Sequence, residues 1–163
     1  MIFVVLGTQK FQCNRLLQEI DKLIEEGKIT EPVFAQIGHS DYIPKNYMYT
    51  NFLQKEEFED KISACNLLIT HSGVGTILNG INLKKPIIVF PRLKKYREHV
   101  DDHQLDIARA FSKKKLVLMC EENDSLDKLI KESHSFEFGT YVANQGKVVE
   151  VINAFIKKEI EDV

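Results

Sequence analysis

The 163-residue sequence has no tryptophan, only three cysteines and four prolines, and a formal net charge of just -2 at pH 7. Each shortage excludes a class of protein. A chain this close to neutral lacks the basic excess on which nucleic-acid binding rests. Cys13, Cys65 and Cys120 are odd in number, widely spaced and free of any Cys-x-x-Cys pair. They indicate neither a disulfide framework nor a zinc site, and they suit a reducing compartment. No apolar run approaches the roughly 20 residues that cross a bilayer, and residues 1–6 lead into a polar turn, unlike a signal peptide. The expected location is the cytoplasm. No repeat, low-complexity segment or internal linker interrupts the chain, so residues 1–163 are expected to form one domain. At that length folding hides roughly 70% of the extended chain's surface.

What is present centres on residues 66–104. Two short apolar runs, residues 67–70 and 87–90, flank a segment that opens with glycines and continues with helix-compatible residues 76–83. That spacing predicts strand, glycine turn, helix and a second parallel strand, with the turn at the carboxyl edge of the sheet, where open α/β sheets bind ligands. Gly73 and Gly75 can take φ > 0 and admit a ligand to the backbone, and Thr76 can cap the helix and offer a hydroxyl. Unpaired amides at the helix start, with a dipole worth roughly half a positive charge, favour an anion such as a phosphate. The same glycines also fit a plain tight connection. After the next strand, closed by Pro91, come Glu98, His99, Asp101, Asp102, His103 and Gln104. Two polar loops at one sheet edge suit a polar, phosphate-bearing ligand.

The rest of the chain repeats the alternation. Residues 2–6 read as a buried strand, followed by a helix with Leu16, Leu17, Ile20, Leu23 and Ile24 on one stripe and Gly27 as its stop. Residues 33–37 and 47–52 read as strands joined by a polar loop, 39–46. A helix over 56–65 turns Phe58 and Ile62 inward. Asp102 is a natural N-cap for a helix carrying Leu105, Ile107, Ala108 and Phe111. A strand over 116–119, a helix capped by Ser125 with Leu126, Leu129 and Ile130 inward, and a closing helix over 145–160 complete the reading.

The motifs His71-Ser-Gly-x-Gly-Thr76, Lys85-Pro-Ile-Ile-Val-x-Pro-Arg92 and Asp101-x-His-Gln104, in this order, resemble the C-terminal domain of glycosyltransferase family 28. The resemblance is strongest to its small free-standing members, the sugar-nucleotide-binding subunits of two-part transferases. These include the cytosolic subunit of the dolichol-linked UDP-N-acetylglucosamine transferase and the bacterial capsule and exopolysaccharide subunits; residues 91–104 are most similar to the bacterial branch. The resemblance implies an α/β, Rossmann-like open parallel sheet with helices on both faces, one half of a GT-B glycosyltransferase. It also implies a UDP-sugar substrate, no cofactor or essential metal, a small membrane-anchored partner subunit and a lipid-linked saccharide acceptor. The chain would then lie in the cytoplasm, peripheral at the inner face of the membrane through that partner.

Carried over residue by residue, the family pattern puts Ser72, Gly73, Gly75 and Thr76 around the diphosphate. Gly7 and Thr8 fall on the donor or acceptor side of the cleft, Gln36, Ile37 and Gly38 near the base, and Asp102, His103 and Gln104 toward the sugar. Where the pattern carries a ribose-gripping glutamate, this chain has Asn79, whose amide lacks the charge assistance that roughly doubles a hydrogen bond's strength. The general base is expected on the partner, with His71 and His103 as candidates in this chain; His71 also reads as a histidine bonded to nearby backbone. Arg92, Lys94, Lys95 and Arg97 form a basic loop that fits a solvated face, a phosphate contact or a docking surface equally. His99 and His103 are four apart, yet there is no His-Glu-x-x-His pattern and no metal is expected. The competing class is a non-catalytic regulatory or scaffolding subunit; a small-molecule isomerase on a related fold is disfavoured by length.

Overall fold

The computed structural model describes residues 1–140. Six short strands, β1 (Ile2–Val5), β2 (Val33–Gln36), β3 (Met48–Thr50), β4 (Leu67–Thr70), β5 (Ile87–Val89) and β6 (Leu118–Met119), alternate with five helices. These are α1 (Asn14–Glu25), α2 (Lys55–Ala64), α3 (Val74–Asn82), α4 (His103–Lys113) and α5 (Leu126–Ser133). Every strand pair is parallel and the sheet order is β3-β2-β1-β4-β5-β6. The predicted α/β class and Rossmann-like open parallel sheet are what the chain forms.

Unbroken apolar runs in β1, β4 and β5 follow from burial on both faces. Alternate side chains feed two cores. Ile2, Val4, Leu6 and Ile69 meet Leu16, Leu17 and Ile20 of α1 and Leu126 and Ile130 of α5. Phe3, Val5 and Leu68 meet Ile62 of α2, Ile77 of α3 and Ile107 and Phe111 of α4. Helices therefore cover both faces, and α1 stops as expected at Gly27, whose φ of +71° closes it with Gly27 N–H to Ile24 O and Lys28 N–H to Leu23 O.

The strand order reverses between β1 and β4, where Val5 pairs with Thr70. The loops leaving those two strands stand side by side, which is where a doubly wound sheet opens its crevice. Thr70 ties the pair together, donating its hydroxyl to Val5 O at 2.9 Å.

Several boundaries differ from expectation. β3 is an edge strand of three residues rather than 47–52, because Tyr47 turns away to donate its hydroxyl to Leu17 O. β6 keeps only Leu118–Met119, since Leu116 N–H still bonds back to Phe111 O at the end of α4. Residues 92–102, read as a loop, contain a 3-10 turn at Lys94–Tyr96. Ser125 holds the N-cap position of α5, but its hydroxyl goes to the Asp127 carboxylate instead of a helix amide. The closing helix over 145–160 lies outside the described residues.

Candidate functional site

The His71–Gly73 turn is closed by Gly73 N–H to His71 O at 2.7 Å, and α3 begins at Val74, two residues before the predicted start. The first helical bond is Ile77 N–H to Gly73 O. The amides of Val74, Gly75 and Thr76 therefore precede the ladder, no side chain caps them, and none donates to another described residue. Thr76 is not the cap; it is the third helical residue. Nor do Gly73 and Gly75 use φ > 0, for Gly73 sits at φ −77° and, among the described glycines, only Gly27 and Gly38 are positive. Their smallness serves other ends. A Cβ on Gly75 would meet nothing within 4 Å, so the approach to the helix start is open. Asn79 lies one turn further on the same helix face as Gly75 and Thr76.

His71 explains Gly7 and Gly73. A Cβ on Gly7 would stand 2.6 Å from His71 Nε2 and one on Gly73 2.7 Å from Cε1, so the two glycines make room for the imidazole. Gln104 Oε1 accepts from Arg92 N–H at 3.1 Å, which turns the Gln104 amino group toward His71 Nδ1, 3.2 Å away. Nδ1 is thus the unprotonated nitrogen and Nε2 carries the hydrogen. Burial, reinforced by the nearby Arg92 charge, holds this imidazole well below the usual histidine range. His71 is a neutral donor with its lone pair already used, which removes it as a candidate base. Gln104, 1% exposed with both ends of its amide engaged, is a bridge between two loops rather than a reader of sugar hydroxyls.

The base-side candidates are also spent within the protein. Gln36 Nε2 donates to Leu6 O at 3.0 Å and Oε1 accepts from Leu53 N–H at 3.0 Å. Gly38, at φ +59°, brings its Cα against Gly7 O, leaving 2.6 Å for a Cβ, and donates its amide to Asn51 O. What does face outward at that end of the sheet is Phe52, exposed and edge-on to the His39 ring at 5.1 Å. In sequence it is only the last residue of an alternating strand over 47–52, with nothing to set it apart.

The basic loop divides. Lys94 and Arg97 are exposed, Arg97 with φ +58°, and Lys95 is paired with Glu122. Arg92 is fully buried, so it belongs to no solvated basic face. Asp102 does not cap α4: its carboxylate accepts from Lys94 N–H, while Asp101 takes His103 N–H at 3.0 Å. Asp101 also stands 3.2 Å from His99 and 3.5 Å from His103. His99 is held below its usual range chiefly by burial and stacks on Phe11 at 4.9 Å. His103, with its side chain 44% exposed and backed by Asp101, remains the candidate base in this chain. Thr8 is exposed at the tip of the β1–α1 loop. Among the described residues no group of three or more His, Cys, Asp or Glu is arranged to hold a metal ion.

A doubly wound parallel sheet of this kind is the fold of one half of the GT-B architecture, and solved glycosyltransferases share it. The glycosyltransferase of kitacinnamycin superposes over 96% of this chain and 38% of its own, at 14% identity and a TM-score of 0.54. SnogD from Streptomyces nogalater superposes over 98% and 39%, at 16% and 0.52. The solution structure of ALG13 covers 88% of this chain and 90% of its own, at 19% and 0.58. Likenesses at such identities speak for the fold. Residues 1–150 match the model of the glycosyltransferase family 28 C-terminal domain, and the chain belongs to that family. It is also 24% identical over 128 residues to the human UDP-N-acetylglucosamine transferase subunit ALG13, a match that spans 73% of this chain and 11% of that protein.

Proposed function

We propose that this chain is the donor-binding half of an inverting UDP-sugar transferase that adds a hexose or N-acetylhexosamine to a lipid-linked acceptor in surface polysaccharide synthesis. A membrane-anchored partner subunit completes the enzyme. The observation that carries this reading is the set of unspent amides of Val74, Gly75 and Thr76, open to the crevice between β1 and β4. As the anomeric C–O bond breaks, its electron pair stays on the diphosphate, and preorganised amides in a partly dry cleft stabilise that charge without a metal. Ser72, Gly73, Gly75 and Thr76 then cradle the diphosphate, Thr8 borders the crevice, and Asn79 meets the ribose one turn along. Phe52 offers a stacking face for uracil, and His103 stands on the sugar side.

The acceptor hydroxyl needs a base to take its proton, a service worth roughly 10²- to 10⁴-fold. The partner supplies it, or His103 with Asp101 behind it. Lys94, Arg97, Tyr96 and Val100 form an exposed basic and apolar rim at the same edge, suited to a lipid-linked phosphate or to the partner at the inner face of the membrane. No described helix is long and apolar enough to cross a membrane; in this reading the partner carries the attachment.

The test is thermal unfolding with UDP. Ligand at 100 times its Kd adds about 2.7 kcal/mol to stability, so a clear rise in Tm is expected, and no shift at saturating UDP overturns the reading. Co-purification from native membranes should bring a small membrane protein along. Asn79 in place of a carboxylate favours one alternative, a regulatory or scaffolding subunit that no longer turns over. Transfer by the reconstituted pair that survives Gly75→Asp unchanged would count for that alternative.

A further inference from the structure

Arg92 is the largest side chain that the fold buries completely, and it is poorly satisfied. Its Nη2 donates to Phe11 O at 3.0 Å in the β1–α1 loop, while Nε and Nη1 are buried without a hydrogen-bond partner. No ion pair among the described residues includes it. The carboxylate in its neighbourhood, Glu98, is fully buried and already committed. Its Oε1 accepts from Arg15 Nη2 at 3.0 Å and Leu93 N–H at 2.9 Å, and its Oε2 from Arg15 Nε at 3.2 Å and the Cys13 thiol at 3.7 Å.

Three titratable groups near Arg92 carry no charge. Burial pushes the Cys13 thiol up to about 12 and keeps His71 and His99 neutral. Arg92 and Arg15 thus share a single buried carboxylate, Glu98. Buried charges are normally paired, and unmet buried donors of this kind collect at functional sites. The location fits a function. The Arg92 amide holds Gln104, Gln104 holds His71, and the His71 ring touches Gly7 and Gly73, the two residues that border the free helix start. The guanidinium itself reaches into the β1–α1 loop and its charge is felt at His71, so it lies within electrostatic reach of the residues that border the anion site.

We infer that Arg92 is the counter-charge for the donor's diphosphate, a positioning residue that favours the bound anion through its field and holds the β1–α1 loop in place, without contacting uridine. This rests on the donor reading given above. Among the described residues Arg92 has only a carboxylate shared with Arg15, Glu98, within reach, and the ligand's diphosphate supplies the charge that this one does not.

The measurement is calorimetric binding of UDP and of uridine to the wild type, Arg92→Met and Arg92→Lys. A field acting without contact predicts that Arg92→Met loses roughly 10- to 100-fold in UDP affinity. Uridine affinity should stay within about twofold, and Arg92→Lys, which keeps the charge, should retain UDP binding to within about tenfold. Equal losses for UDP and uridine, or no loss for either, overturn the inference in favour of a packing role. Should Arg92→Met fail to fold, Glu98→Gln decides the matter. Removing that negative charge must tighten UDP several-fold and leave uridine unchanged, and an unchanged UDP affinity is a refutation. A wild-type chain that binds neither compound refutes the donor reading itself, and this inference with it.

Discussion

Two helices, α1 and α3, follow the two central strands of the sheet, and their starts differ in one respect. At α1 the protein meets the N-cap amide and two of the first three helical amides itself: Cys13 N–H donates to Ser40 Oγ at 2.9 Å, Asn14 N–H to Gln12 Oε1 at 2.8 Å and Leu16 N–H to Cys13 O. At α3 the N-cap amide of Gly73 is met by His71 O, but the three helical amides that follow it are met by no described residue. Both dipoles point at the same crevice, yet only one is left to a ligand. A helix start at a switch point is therefore not a binding site by position; it becomes one when the sequence withholds the cap. Here Gly73 holds the N-cap position, where a Ser or Asp would have satisfied an amide.

The most severe way to break this contrast is to give α3 the anion it lacks. Gly75→Asp places a carboxylate in open space beside the three amides. UDP affinity should fall roughly 100-fold, about 3 kcal/mol, as like charges meet at short range. Tm should hold or rise, because an acid in the first turn is worth about 0.5 kcal/mol to the helix. UDP binding that survives calorimetry on this variant would mean the diphosphate lies elsewhere. Next in size is Gly7→Ala, whose methyl would press on His71 Nε2 at 2.6 Å. Overpacking of this kind costs about 2 kcal/mol, or several degrees of Tm in a domain this long.

Ser40→Ala attacks the other side of the contrast. It leaves the buried Cys13 amide unmet, a loss of about 1.5 kcal/mol in denaturant unfolding, and should leave UDP affinity untouched because α1 binds nothing. Acid probes the same crevice through His71. Its folded pKa lies below its unfolded one, so beneath about pH 6.5 the unfolded chain takes up a proton that the folded chain refuses. Stability is full above that value and is lost as pH falls, by at most about 1.4 kcal/mol per pH unit for each such histidine. His99, lowered in the same sense, adds to the slope. Denaturant titrations between pH 7 and pH 5 should show the slope shrink in His71→Gln.

The layered fold was legible because both sheet faces are covered. Apolar runs such as Leu67–Thr70 have no other home, and Gly27 marks its helix end by a backbone need that composition reveals. The site was legible only in outline. The spacing of His71, Gly73 and Gly75 located the helix start. What each glycine is for depends on contacts between distant segments: Gly7 yields to His71 across 64 positions of sequence, and Gly38 to Gly7. Polar residues near the crevice also look alike in sequence whether they face ligand or protein. Gln36, Gln104 and Arg92 face the protein, because the side chain of each bonds a backbone group of another segment. By contrast Asp21, plain in sequence, anchors the 42–46 loop by accepting from Tyr42 Oη at 2.6 Å and the amides of Lys45 and Asn46 at 2.9 Å.

The smallest expected effect sharpens the α3 side of the contrast. If α3 is the ligand's helix, the residue one turn beyond its free amides should sense the ribose, and Asn79 is only half-buried there with no hydrogen bond from its side chain to another described residue. Asn79→Glu replaces a neutral acceptor by a charged one, and charge-assisted bonds exceed neutral ones by about 1 kcal/mol. The carboxylate also lies nearer the diphosphate than an amide would prefer, which trims the gain. UDP should bind about threefold more tightly, and 2′-deoxy-UDP should gain less, because it offers one hydroxyl fewer. A ratio of UDP to 2′-deoxy-UDP affinity that stays fixed would mean the ribose does not reach α3, and the bare helix start would then hold a phosphate presented from another direction.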